Sequence, residues 1–269
     1  MLTETFDARG FIGDGDIVLI TLDTLRYDVA VSELEAGRLP VLETHIGRWE
    51  RRHTPASFTY AAHLAFFAGF LPTPPSPGPH PRRFAIRFSG SESTANTTAV
   101  FDAPNIIQGL SAAGYRTIGI GGTGFFDPSS QLGATLCAPF DEFHWSPALG
   151  VTAKDSPQRQ VELARARLDA CGSRPAFVFI NIAAMHQPNC IYEDGATEDD
   201  VRTHAAALRF VDDALAPLFS ALRKRGRAWC IITSDHGTAY GEDGHVGHRL
   251  AHPVVWNVPY AEFLLEARS

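Results

Sequence analysis

The stretch Phe177-Val178-Phe179-Ile180 is apolar at every position, and so are Ile17-Val18-Leu19-Ile20 and Trp229-Cys230-Ile231-Ile232. A strand with one face in water alternates apolar and polar residues, whereas a strand apolar throughout must be covered on both faces. Such runs recur along this chain, at residues 16–22, 98–101, 116–120, 176–182, 229–233 and 260–265. Between them lie helical patterns at 40–51, 60–70, 103–113, 157–170 and 203–225. Strands alternating with helices predict βαβ units, hence an α/β fold: a three-layer αβα sandwich around a mostly parallel central sheet. The proline-dense segment 71–83 suits neither a helix nor an interior strand and reads as a surface excursion.

With 269 residues, 45% of them hydrophobic, the chain can bury a sizeable core, and no composition break divides it. We read residues 1–269 as a single catalytic domain. A net charge of -7 leaves no basic footprint for nucleic acid. The N-terminus lacks the cationic and apolar regions of a secretory signal. No apolar run approaches the roughly 20 residues needed to span a bilayer. Cys137, Cys171, Cys190 and Cys230 are widely spaced without a CxxC pair, which suggests free thiols and a cytoplasmic setting.

In an open α/β sheet, sites gather at the carboxyl edge. Two of the buried-type strands end there in ligand chemistry. One runs into Asp23; the other runs into Ser234-Asp235-His236-Gly237. Asp23 alone would pass for a helix cap, but with Asp235 and His236 at a second strand end, metal ligation is the better account. Imidazole together with carboxylate favours zinc or manganese over an all-oxygen cage. Thr59 opens a helix, where free backbone N–H groups stabilise negative charge, so a hydroxyl there beside a divalent cation could act as a nucleophile. A plain N-cap threonine is the alternative. His186 follows the run 180–185 at the same edge. His245, His248 and His252 crowd a glycine-rich loop after Asp235, while the roles of these and of His63 stay open. Gly121-Gly122-Thr123-Gly124 reads as a tight loop near the site, and His144-Trp145 as a packed aromatic corner.

Together, Leu22-Asp23-Thr24-Leu25-Arg26-Tyr27-Asp28, the helix opening at Thr59, His186-Gln187-Pro188 and Ser234-Asp235-His236-Gly237 resemble the alkaline phosphatase superfamily. The branch they resemble is the sulfatase-like one, with its phosphodiesterases and phosphoethanolamine transferases, and within it a small bacterial group of sulfatase-like hydrolases. The motifs occur in that family's order. The resemblance implies an alkaline-phosphatase-like fold, Asp23, Asp235 and His236 as ligands of one metal, and Thr59 as nucleophile in contact with it. It implies that His248, twelve residues after His236, serves a second metal or the reacting oxyanion, and that His186 touches the transferred group. Arylsulfatases carry a cysteine matured to formylglycine in Cys-x-Pro-x-Arg; this chain has Thr59-Tyr60-Ala61-Ala62-His63 instead, and Asp23 is followed by Thr24 rather than a second aspartate. The chain ends soon after Leu265, without the C-terminal subdomain of larger sulfatases. The expected activity is therefore metal-dependent hydrolysis or transfer of a small phosphate ester through Thr59, with one or two zinc or manganese ions and with neither a nucleic-acid nor a membrane partner. Sulfate-ester hydrolysis and a non-catalytic, ligand-binding role are the alternatives.

Overall fold

A computed structural model describes residues 6–69, 84–85, 99–100 and 105–267. Its centre is a seven-stranded sheet built, in chain order, from β1 (Asp16–Leu22), β2 (Glu50–His53), β5 (Arg116–Ile120), β6 (Glu142–His144), β7 (Ala176–Ile182), β8 (Ala228–Thr233) and β11 (Asn257–Leu265). Two small pairs complete the strands: β3 (Phe84–Ala85) with β4 (Ala99–Val100), parallel, and β9 (Ala239–Tyr240) with β10 (Val246–Gly247), antiparallel. In the main sheet the order is β2-β11-β8-β1-β7-β5-β6. Strand β11 is antiparallel to both neighbours, and the other six share one direction. The mostly parallel α/β sandwich expected from the sequence is the observed architecture.

The layers follow from the alternation of side chains along a strand. On β1, Val18, Ile20 and Leu22 face one way, and on β7 so do Val178, Ile180 and Ile182; all join the larger core. That core is closed by α2 (Tyr27–Glu35), α3 (Pro40–Glu43), α7 (Ser156–Ala170) and α8 (Val201–Arg225), whose Leu208, Val211, Leu215 and Leu222 pack inward. Ile17, Phe177 and Phe179 face the opposite way, into a second core with α4 (Thr59–Ala68), α5 (Ile106–Ala112) and α6 (Gln131–Cys137). Short helices α1 (Ala8–Phe11) and α9 (Pro253–Trp256) lie near the ends of the chain. Thr21, Asp23 and Asn181 continue the phase of Ile17 and Phe179, which turns them toward the α4 side. The site is built on that face.

The expected helix over 40–51 is corrected. Only Pro40–Glu43 is helical, and Glu50–His53 is an edge strand against β11. The Asp212 carboxylate holds the α3 start, accepting from Val41 N at 2.9 Å and Leu42 N at 2.8 Å. Edge strand β2 is mostly exposed, so Arg51 and Arg52 carry none of the apolar alternation that marks a strand. Residues 99–100 do form a strand, but in the small pair rather than the main sheet. Strand β6 and helices α2 and α6 are additional elements. The proline-dense segment 71–83 lies outside the described residues. The four cysteines are free thiols. Among the described residues no helix is long and apolar enough to cross a membrane.

Candidate active site at the carboxyl edge of the sheet

Parallel pairing of β1 with β7 and β8 sets Thr21 level with Asn181 and Thr233, so the loops leaving these strands meet above the sheet. Asp23, Asp235 and His236 meet there. Each offers a ligand atom within 4.8 Å of the others, and all three side chains are buried. Two donors about 2 Å from a shared cation lie up to about 4 Å apart, so the group is close to binding geometry. Thr59 reaches the same point from α4. Its Oγ1 lies 3.4 Å from Asp23 Oδ2 and 3.3 Å from His236 Nε2. The four residues that the sequence singled out as one site do converge, although 177 positions separate Thr59 from His236.

Several bonds fix the orientation of these groups. His236 Nδ1 lies 2.9 Å from the Gly237 carbonyl, which can only accept; the proton is therefore on Nδ1, and Nε2 presents a lone pair to the site. Asp235 Oδ1 accepts from Thr24 N at 3.1 Å and His236 N at 3.0 Å. Thr24 reaches that carboxylate in the left-handed region, φ 61, a costly conformation for a β-branched residue. Thr54 Oγ1 donates to the Asp235 carbonyl. The remaining oxygens, Asp23 Oδ1 and Asp235 Oδ2, are buried with no hydrogen-bond partner. A buried ionised carboxylate oxygen without a partner is unfavourable; a divalent cation between the two satisfies both. The donor set therefore fits a metal. Burial first, and the mutual repulsion of the pair second, hold the Asp23 carboxyl above the ordinary range, and burial does the same for Asp235. Burial also lowers His236.

Beneath the site a closed ring of hydrogen bonds ties Thr59 to Asp23. His63 Nδ1 donates to the Thr59 carbonyl at 2.7 Å, so its Nε2 accepts from Thr21 Oγ1 at 3.0 Å. Thr21 Oγ1 in turn accepts from Asn181 Nδ2 at 3.2 Å, which also donates to Asp23 Oδ2 at 3.1 Å. Asn181 Oδ1 accepts from Gly122 N at 3.2 Å. Each direction in the ring follows from the one before it. His63 is fully buried among the rings of Phe66, Phe67, Phe126 and Phe179, and burial pushes it down to about 3, so it stays neutral as the ring requires.

His186 and His248 flank the ligand group without belonging to it. The His248 ring stacks on His236 with centroids 4.5 Å apart and lies 5.6 Å from His186. Burial, then neighbouring His236 and His186, lower His248 to about 3. His186 Nδ1 is 2.7 Å from the Gln187 carbonyl, so its Nε2 is the free nitrogen. His245 is exposed, and His252 caps α9, its Nδ1 accepting from Val254 N; neither enters the ligand group. The glycine-rich loop packs back over the sheet. Gly237 is required there, since a Cβ would stand 1.9 Å from the Val254 carbonyl oxygen. Buried Arg26 pairs with Asp28 and Glu242 and pins the far side of the loop. A cavity of about 570 Å³ opens beside Thr59 and His186, lined by Thr123, Gly124, Phe125, Leu132 and Val151 among others. The 121–124 loop thus does border the site. Asn181, Thr21 and Thr54 were not singled out by the sequence, and Thr24 only as the residue in place of a second aspartate. The signal was a polar residue inside an otherwise apolar strand, Asn181 in Ala176–Ile182.

A family model described as Sulfatase matches residues 16–260, nearly the whole chain; the protein belongs to the Sulfatase family. Among curated proteins none matches it by sequence. Three solved structures show the same fold. The C-terminal periplasmic domain of phosphoethanolamine transferase EptC from Campylobacter jejuni has a TM-score of 0.65 at 12% identity, covering 94% of this chain and 81% of that one. An alkaline phosphatase superfamily protein from Vibrio parahaemolyticus has a TM-score of 0.58 at 16% identity, covering 94% and 60%. The periplasmic domain of EptC from Escherichia coli, in complex with Zn, has a TM-score of 0.60 at 10% identity, covering 94% and 73%. The fold is thus the one shared by these phosphoethanolamine transferase domains and the alkaline phosphatase superfamily protein, as the sequence motifs suggested.

Proposed function

We propose that this protein is a metal-dependent transferase or hydrolase of phosphate esters, monoester or diester, with Thr59 as its nucleophile. Sulfatase-family enzymes and the phosphoethanolamine transferases act on sulfate or phosphate esters, which supports ester chemistry at phosphorus or sulfur. The observation that carries the finer reading is the meeting of the Thr59 hydroxyl with two partnerless buried carboxylate oxygens and an imidazole lone pair. Asp23, Asp235, His236 and the Thr59 hydroxyl would hold one divalent cation. Zinc is the first choice, given its nitrogen-plus-carboxylate donors and the zinc in the E. coli neighbour, with manganese second. When bound, the cation supplies Lewis-acid polarisation and lowers the proton affinity of the hydroxyl beside it.

Thr59 Oγ1 attacks phosphorus; the new Oγ–P bond forms as the P–O bond to the alcohol breaks. Asp23 Oδ2, 3.4 Å away, is placed to accept the proton that leaves Thr59. Phe58 caps α4 without a side-chain bond, so the first-turn amides are available to the equatorial oxygens. His248, neutral because burial lowers it, offers one ring N–H to an oxygen of the transferred group, and His186 turns its Nε2 toward the cavity beside Thr59. Water or an acceptor alcohol then displaces Thr59 from phosphorus. A second-metal role for His248 belongs to the same proposal. The sulfate-ester reading follows from the family description, and the threonine in the cysteine position speaks against its formylglycine form. We place the protein in the cytoplasm on the strength of its four free thiols.

Intact-mass measurement after acid quench, with aryl phosphate, bis-aryl phosphate and aryl sulfate supplied in turn with zinc, tests the reading. We expect a phosphoryl adduct on Thr59, and a loss of turnover of at least about 10³-fold in Thr59→Ala. Turnover by Thr59→Ala at the wild-type rate contradicts it. Zinc binding without turnover of any ester would identify a binding protein instead.

A further inference from the structure

The cavity beside Thr59 has walls of a distinct kind. Its volume, about 570 Å³, falls in the range of small-molecule sites, about 300–1,000 Å³. Thr59 and His186 form its reactive end, and Phe125, Leu132 and Val151 supply hydrocarbon. Those walls are fixed relative to the nucleophile. The Phe125 ring packs 5.6 Å from the Tyr60 ring, and the Tyr60 hydroxyl donates to the Leu132 carbonyl at 3.1 Å. The helix that carries Thr59 therefore also positions the far wall. Among the described lining residues beyond the reactive end, the polar side chains are Thr123, Ser130 and Gln131, and the Gln131 amide stands exposed at the rim. The Ser130 hydroxyl is committed, donating to the Asp127 carbonyl at 2.9 Å and accepting from Gly133 N at 2.9 Å. Thr123 Oγ1 is buried with no partner, which leaves one hydrogen bond to offer a ligand. Histidine apart, none of the described lining residues is ionisable.

We infer that this cavity receives the organic group of the ester, and that this group is uncharged and largely apolar, of aryl or short-alkyl class, with polar atoms only where Thr123 or the Gln131 amide at the rim can meet them. The inference rests on the ester-transfer reading above and narrows it. Hydrocarbon gains by leaving water against Phe125, Leu132 and Val151. An ammonium-bearing group would lose its hydration there with no carboxylate among the described lining residues to replace it, a transfer that is strongly unfavourable.

Calorimetric titration of the zinc-supplied protein with phenylphosphonate and with 2-aminoethylphosphonate, neither of which needs to turn over, tests this. We expect phenylphosphonate to bind at least about tenfold more tightly, as burial of one ring in an apolar pocket implies. Leu132→Asp, at the solvent-accessible start of α6 where a carboxylate is compatible with the helix, should collapse that preference; Val151→Asn should weaken phenylphosphonate binding alone. Melting temperatures check that both variants fold. Equal or tighter binding of the aminoethyl compound, binding of neither, or a preference unmoved in both variants overturns the inference. Failure of the ester-transfer reading looks different: Thr59→Ala would turn over normally while the phenyl preference persisted.

Discussion

At the residue scale, Asn181 carries more of the site than its neutral side chain suggests. It joins Asp23 to Thr21 and, through Thr21, to His63 and the Thr59 carbonyl. Replacing it by alanine leaves the Gly122 amide and Asp23 Oδ2 short of a partner. Groups that orient a metal ligand are worth roughly 10–100-fold in affinity or activity, so Asn181→Ala should weaken zinc binding by that factor. A fluorescent-chelator competition assay measures it directly. Unchanged affinity would mean that Asp23 needs no orienting bond. The meeting of Asp23, Asp235 and His236 was legible in the sequence because aspartate and histidine at strand ends are chemically distinctive. Asn181 and Thr21 were not, because their importance comes from register: β1 and β7 set them side by side, and no spacing in the chain reveals that pairing.

At the scale of elements, strands covered on both faces were readable from their composition, and β1, β5, β7 and β8 lie where their apolar runs predicted. The edges were harder. Strands β2 and β6 lie at the two ends of the sheet. Strand β2 is charged and mostly exposed, so its identity depends on pairing with β11 rather than on its own residues. The loop between β8 and β9 was legible in its glycines but not in its constraint. Gly237 passes so close to Val254 that alanine must displace backbone. Overpacking of this kind costs about 1–3 kcal/mol, and it acts on the turn that orients His236. Gly237→Ala should therefore lower both the denaturation midpoint and zinc affinity. A fully stable variant with native affinity would show that the turn relaxes freely.

At the scale of the whole molecule, the proposed cation and protons would compete for one pair of carboxyls. In the metal-free fold, burial raises Asp235 from 3.8 to about 6, and Asp23 rises with it. A folded-state value above the unfolded one gives stability that is present below about pH 4 and lost as the pH climbs through about 6. The metal-free protein is thus weakened at neutral pH, where the proposed zinc ion should restore it. Zinc at about 100 times its dissociation constant adds roughly 2.7 kcal/mol, or a melting shift of roughly 5–10 °C for a chain of this size. Scanning calorimetry should show that shift near pH 7.5 and little of it near pH 5, and Asp235→Asn should lack it. An equal zinc effect at both pH values would place the ion elsewhere.

The central claim is spatial, that four groups far apart in sequence enclose one cation. Anomalous diffraction from zinc-soaked crystals tests it most directly. The account expects a peak about 2 Å from Asp23 Oδ1, Asp235 Oδ2 and His236 Nε2, with Thr59 Oγ1 completing the shell. A peak coordinated by other side chains, or a soaked crystal with no peak at this edge of the sheet, would contradict it.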